Sequence, residues 1–414
     1  MKKKVNLGLI GLGPRGETLL ATLFYFPVDE VQVSAICDLN TERIAKIKRI
    51  MADRGYPEPQ VFTDYKQLVA SDAVDAVLIP TSWNSHLKIA EEAMKNGKYA
   101  GIEVGGASSI DELWHLVRAA ESTGVSCMML ENCCYGRDEL LSLNLARKGL
   151  LGELIHCSCG YEHHLPEITR PLENREEREV HNFRRNGDLY PTHGIGPVAK
   201  ILRINRGNRF LTLTSTASKA RGFAMEAERA GRGRVNYNCG DVITTVIKCA
   251  NGETITMTHC ISLPRPYSRD FRIQGTKGLF LEDTRSVFIE GISPTVEKID
   301  VAGNPYMSHQ WTPVEEVYGE YDHPIWKNFR ENVIGGHDGI DTLTLQAFCD
   351  AVRERSVTPI DVYDCAAWMS ITCLSEESVA MGGAPVAFPD FTDGKWIYEC
   401  GGCTGKWSLD DIYE

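Results

Sequence analysis

Over residues 1–132, short runs of consecutive apolar residues alternate with stretches whose apolar positions recur every three or four. VNLGLIG (5–11), VQVSAICD (31–38), DAVLIP (75–80), KYAGIE (98–103) and VSCMML (125–130) are apolar runs of strand length. Between them, ETLLATLFYF (17–26), NTERIAKIKRIMADRG (40–55), HLKIAEEAMKNG (86–97) and SIDELWHLVRAAESTG (109–124) carry helical spacing, and the last three stop at a glycine. Repeated strand–helix units predict a parallel sheet with both faces covered.

Beyond about residue 150 the period changes. ELIHCSCGYEHH (153–164), RFLTLTSTAS (209–218), DVITTVIKCA (241–250), ETITMTHCIS (253–262) and FRIQGTKGLFLED (271–283) read as longer strands, with ANGE (250–253) as a hairpin turn. They predict an open, mostly antiparallel sheet. Helices return at 341–355 and 361–381. The charged, aperiodic segment 162–187 reads as a long loop beside a site. The expectation is a Rossmann-type domain over 1–132, followed by an α+β domain over 133–414 with C-terminal helices and a tail.

Composition narrows the function classes. A formal charge of −12 disfavours nucleic acid as the partner, and no apolar run reaches the roughly 18 residues of a membrane span. The opening MKKKVNLGLIG runs straight into a glycine loop without a small-residue cleavage site. As it stands, the chain is expected in the cytoplasm; export would require a leader removed from this sequence. The 14 cysteines lie mostly in apolar segments and read as small hydrophobes of a reduced protein. Cys400 and Cys403 form a CxxC, but no second half-site matches it, so no metal is expected.

Gly11, Gly13 and Gly16 form GxGxxG between a predicted strand and a predicted helix, with Asp38 closing the next strand. That context is the dinucleotide fingerprint: a tight turn, close approach of backbone to pyrophosphate, and a helix N-terminus for its charge. Pro14 suits the first helical turn. Asp38 can accept from a ribose diol and would repel a 2′-phosphate, which argues for NAD over NADP.

At GLGPRG, ICD and EVGG the chain resembles the Gfo/Idh/MocA oxidoreductases, but the lysine that usually follows the strand-end glutamate is replaced by Val104. MMLENCCYGR, GDLYPTHGIGP, PRPYSR, GGHDGID and APVAFPDFTDGKW are similar to glycoside hydrolase family 109, NAD-dependent enzymes whose known members are α-N-acetylgalactosaminidases. The resemblance implies cofactor contacts at Pro14, Arg15, Asp38, Trp83, Asn84, Ser85, His86, Glu103, Val104, Asn132 and Tyr190. It implies glycoside contacts at Tyr161, Arg178, Tyr190, Pro191, Thr192, His193 and Tyr267. It also implies transient oxidation at sugar C3, loss of the C2 proton, elimination of the C1 substituent, water addition and re-reduction.

Such chemistry needs proton carriers. His193, in YPTHGIGP (190–197), has the reference pKa for transfer in both directions, with Tyr190, Tyr267 and Glu103 as further catalytic candidates. The alternative for His193, the first candidate, is a residue of a helix entrance, and Tyr135 could pack or face the site. A sugar 3-dehydrogenase releasing a keto product and a noncatalytic NAD-binding sensor are the rival readings. The open sheet suggests a homo-oligomer, a dimer or larger.

Overall fold

The computed structural model describes residues 3–169, 176–329, 333–398 and 402–413. The N-terminal sheet has six strands, β1 (Val5–Ile10), β2 (Val31–Cys37), β3 (Gln60–Phe62), β4 (Ala76–Ile79), β5 (Tyr99–Ile102) and β6 (Cys127–Met129). Their order is β3-β2-β1-β4-β5-β6, and every pair is parallel. Helices α1 (Pro14–Leu23), α2 (Thr41–Asp53), α3 (Tyr65–Val69), α4 (His86–Lys95) and α5 (Ile110–Thr123) connect them. Burial on both faces explains the unbroken apolar runs; Ala76 to Ile79 are all inaccessible. The chain order reverses beside β1, where this topology opens a crevice at the strand C-termini.

The second sheet has nine strands: β7 (Leu154–Glu162), β8 (Phe210–Ala217), β9 (Ile243–Cys249), β10 (Thr254–Cys260), β11 (Arg272–Gly275), β12 (Gly278–Leu281), β13 (Ser286–Ile289), β16 (Thr312–Pro313) and β17 (Val386–Ala387). A separate hairpin, β14 (Thr295–Ile299) with β15 (Pro305–His309), projects from it. All pairs in the large sheet are antiparallel except β7 with β10. On β9, Ile243, Thr245, Ile247 and Cys249 face inward while Thr244, Val246 and Lys248 face out, so only one face is packed.

Helices α6 (Arg137–Arg147), α7 (Glu176–Arg184), α8 (Thr192–Ile201), α9 (Gly222–Arg229), α10 (Val314–Tyr321), α11 (Pro324–Phe329), α12 (Ile340–Glu354) and α13 (Val362–Ala380) complete the chain. The helix α13 joins the two sheets: it packs on α5 and β6 of the first and on β8 and α8 of the second. Its Asp361–Asp364 capping box is held by Arg206 and by Lys200 of α8, all within the core. The C-terminal segment closes the same cluster through Asp410.

Two expectations are corrected. FRIQGTKGLFLED is two strands, because Thr276 and Lys277 turn back to hydrogen-bond Glu153 and Leu151. Segment 162–187 is not one long loop: Pro166–Thr169 forms a helical turn and α7 occupies 176–184, while residues 170–175 lie outside those described. Burial of His181 and Asn182 against the body of the protein orders this polar helix, which sequence periodicity had not marked. No described helix is long and apolar enough to cross a membrane.

Candidate functional site

Two cavities flank the glycine loop and share Thr81 as a lining residue. The first, about 630 Å³, is lined by Gly11, Asp38, Asn40, Arg43 and Ser85, among others. The second, about 310 Å³, is lined by Arg15, Trp83, Glu103, Val104, Asn132, Tyr161, Arg178, Tyr190, His193 and His337, among others. A dinucleotide needs two such compartments bridged by a phosphate-binding turn. Gly11 has φ of +100°, and a Cβ on Gly16 would run into the Gly11 carbonyl. The α1 N-terminus at Gly13–Pro14 leaves first-turn amides without intrahelical partners. The residues present therefore fit NAD: Asp38 could accept from a ribose diol, and the loop amides could meet a pyrophosphate.

Asp38 is already engaged. It accepts from the Leu12 amide at 2.7 Å and the Asn40 amide at 2.8 Å, which pins the glycine loop to the end of β2. Ser85 lines the first cavity, whereas Asn84 sits apart from both lining sets, near Ser108. His86 begins α4 and is fully buried.

The Arg15 guanidinium bridges the domains. Its Nε donates to Glu103 Oε1 at 2.6 Å, and its two terminal nitrogens donate to both oxygens of Asp341 on α12 at 2.9 and 3.0 Å. Asn132 Nδ2 donates to Asp341 Oδ1 at 2.8 Å, and His337 Nδ1 lies 2.8 Å from Oδ2. Burial works against ionised Asp341, but His337 and Arg15 override it and hold the carboxyl well below the usual range. Burial raises Glu103, partly opposed by Arg15.

The opposite wall is aromatic. The Trp83 ring lies 5.0 Å from His181 and 5.8 Å from Tyr190, and Tyr190 lies 4.5 Å from Tyr161. Arg178, on α7, lies over Tyr190 at 4.8 Å and Trp83 at 5.6 Å, contacts worth about 0.5–2 kcal/mol each. Tyr267 stands at the rim, 48% exposed, edge-on to Tyr161 at 6.1 Å. Gly105, with φ of +152°, passes so close to the Trp83 indole that no Cβ fits there.

Pro191 is the N-cap of α8, Thr192 is its buried first residue, and His193 follows. His193 Nδ1 lies 2.7 Å from Oε1 of Glu131, a fully buried carboxylate two residues beyond β6. Burial alone would lower the His193 pKa, but Cys133 and Glu131 beside it raise it well above 6.5. Burial likewise opposes ionised Glu131, and His193 more than compensates, holding it low. The two form an ion pair. With Nδ1 committed, the imidazole has Nε2 left for the cavity that the residue lines.

The structure thus brings together Arg15, Trp83, Glu103, Val104, Asn132, Tyr161, Arg178, Tyr190 and His193, with Tyr267 at the rim. Tyr135 packs instead: its hydroxyl donates to the Trp407 carbonyl at 3.2 Å. Glu131 and Asp341 were missed as site residues. Both lie within motifs the sequence displayed, ENCCY and GGHDGID, and a strand-end acid beside Asn132 was the available signal for Glu131.

Residues 5–131 match the NAD-binding Rossmann fold of the oxidoreductase family, and residues 135–398 match the glycosyl hydrolase 109 C-terminal domain. The chain belongs to glycosyl hydrolase family 109. Members of that family to which it is similar include an alpha-N-acetylgalactosaminidase of Tannerella forsythia, 38% identical over 95% of this chain and 87% of that one. A family 109 protein of Shewanella amazonensis is 40% identical with the same coverages. Among solved structures, an NAD-binding oxidoreductase from Klebsiella pneumoniae superposes with a TM-score of 0.71 at 16% identity, covering 94% of this chain and 99% of that one. A levoglucosan dehydrogenase in complex with NADH and levoglucosan gives 0.66 at 19%, covering 94% and 100%. These two show the fold. This family 109 chain is an NAD-dependent glycosidase whose substrate is a carbohydrate.

Proposed function

We propose that the chain hydrolyses α-N-acetylgalactosaminides by redox-assisted elimination, with His193 as the proton carrier. The observation that carries this reading is the Glu131–His193 pair, whose imidazole lines the same cavity as Val104. A displacing glycosidase sets two carboxylates on either side of the bond. Among the described residues that line the cavity, Glu103 is the one carboxylate, and Arg15 holds it at 2.6 Å. Glu131 stands behind the imidazole and is spent on it.

NAD, held by Asp38, the Gly11–Gly16 loop, Arg15 and Asn132, would supply reversible oxidation of a sugar carbinol. The remaining work belongs to the chain. His193 Nε2 takes a substrate proton and returns it, while Glu131 stabilises the imidazolium and fixes its orientation. Tyr161, whose phenol burial keeps protonated, and Tyr190 beside it hold ring hydroxyls or pass a proton. Arg178 fixes Tyr190 and Trp83, and Tyr267 covers the sugar from the rim. Glu103 orients a hydroxyl on the Arg15 side, and the Val104 wall, apolar where relatives of this fold place lysine, leaves proton transfer to His193.

The test uses a chromogenic α-N-acetylgalactosaminide without added NAD. Catalytic release of aglycone without net NADH, with deuterium entering C2 in heavy water, supports the reading. NADH formed one-for-one with substrate would instead make the chain a sugar dehydrogenase, and absence of deuterium from a competent product would overturn the elimination. Assembly of copies through the open sheet face, expected from the sequence, is read by light scattering.

A further inference from the structure

Beside the Glu131–His193 pair stands a thiol that the proposed chemistry does not use. Glu131, Cys133 and His193 place a carboxylate oxygen, a thiol sulfur and an imidazole nitrogen within 4.8 Å of one another, the one such trio among the described residues. Oxygen, nitrogen and sulfur donors together are the set that a borderline-soft divalent cation takes. The Cys133 thiol stands beside His193 and makes one long contact, 3.6 Å, to Asn132 Oδ1. A second observation points to a ligand. Oε2 of Glu131 is buried and makes no well-aligned hydrogen bond, although the Thr192 hydroxyl stands near the carboxylate. An unsatisfied carboxylate oxygen in the interior is costly, and a cation would satisfy it.

We propose that Glu131, Cys133 and His193 form a binding site for a thiophilic divalent cation, zinc being the type, and that its occupancy reversibly stops turnover. Zinc bonds of about 2.0–2.3 Å put tetrahedral ligands roughly 3.3–3.8 Å apart. His193 Nδ1 and Glu131 Oε1, at 2.7 Å, would part by about 1 Å, and Sγ lies within reach of both. Binding forms Zn–S, Zn–N and Zn–O bonds and releases two protons to solvent, one from the thiol and one from Nδ1. The thiolate and carboxylate then balance the dication. The entry path is the cavity that His193 and Asn132 line. A bound cation takes from His193 the carboxylate that orients it, so the proton carrier is lost while NAD contacts at Asp38 and Arg15 stay intact.

The loss-of-turnover half rests on the proposed role of His193; the binding half does not. Cobalt(II) therefore serves as a spectroscopic probe on the NAD-loaded wild-type protein, alongside zinc inhibition. A thiolate-to-cobalt charge-transfer band that saturates at one equivalent, and is absent from Cys133→Ser, supports the site. Turnover should fall at least about tenfold at one equivalent of zinc and return with a chelator, whereas Cys133→Ser, read against its own zinc-free activity, should be insensitive to zinc. Zinc-edge X-ray absorption on the wild type should show one sulfur with nitrogen or oxygen neighbours, a reading that does not depend on any variant folding. No cobalt band, a band that persists in Cys133→Ser, or an absorption spectrum without sulfur overturns the proposal. A cobalt band without inhibition keeps the site and removes His193 from the mechanism.

Discussion

His193 Nδ1 and Glu131 Oε1 are 2.7 Å apart across the junction of the two domains. Glu131 lies two residues beyond the last strand of the first sheet; His193 opens a helix that packs on the second. The carboxylate also accepts the Cys133 amide at 3.1 Å, so its position is set by backbone before the imidazole arrives. Separating the domains by even 1 Å would break the pair.

Removing the imidazole should therefore be severe. His193→Ala is expected to lower kcat by about 10²–10⁴ while retaining NAD, since general acid–base groups contribute on that scale. Glu131→Gln keeps a hydrogen bond to Nδ1 but removes the charge, and a smaller loss, about 10–10²-fold, should follow. Steady-state kinetics on NAD-loaded protein checks both. Full turnover by His193→Ala would end its assignment as proton carrier.

Asp341 holds Arg15 with two hydrogen bonds and Asn132 with a third, so it positions two of the proposed cofactor contacts from the second domain. Asp341→Asn cannot accept both guanidinium bonds as a carboxylate does. Losing one partner of a buried charge pair costs about 3–5 kcal/mol when fully desolvated, and less here because Arg15 is partly exposed and keeps Glu103. NAD released on denaturing the purified variant should be substoichiometric, against one equivalent for the wild type.

Gly105→Ala tests why the strand-end motif reads Glu-Val-Gly-Gly. A methyl group there meets the Trp83 indole, and φ of +152° suits alanine poorly. The expected result is a melting temperature lowered by several degrees, from about 1–3 kcal/mol of strain and repacking, with KM raised more than kcat is lowered. Unchanged KM would detach Trp83 from ligand binding.

Asp188 lies beneath Tyr190, accepts its amide at 3.1 Å, and is pushed by burial up to about 7. Around it stand His259 at 3.6 Å, which burial and then Arg178 lower to about 3, and the buried thiols of Cys159 and Cys239. A carboxyl raised in the folded state stays protonated there between about 4 and 7 while the unfolded chain ionises. Its stabilising effect is full below about 4 and is lost as pH rises to 7. Asp188→Asn should flatten that decline, gaining on the order of 1–3 kcal/mol over wild type at pH 8 relative to pH 4. Urea melts at the two pH values measure it; parallel pH profiles for both proteins would refute it.

The sequence by itself determined the first sheet, because strands buried on both faces must be continuously apolar and a dinucleotide turn must place glycines at fixed spacing. It also determined the sheet alternation of the second domain and the motifs holding Tyr190, His193 and Arg15. Tertiary structure alone decided which of those side chains meet. Glu131 and His193 are 62 residues apart, and Arg15 and Asp341 are 326 apart. No local period encodes such a pair; it exists because α13 and α12 dock the two domains in one arrangement. The polar helix α7 was invisible for the same reason: its order comes from burial against Trp83 and Tyr190 rather than from an apolar stripe of its own.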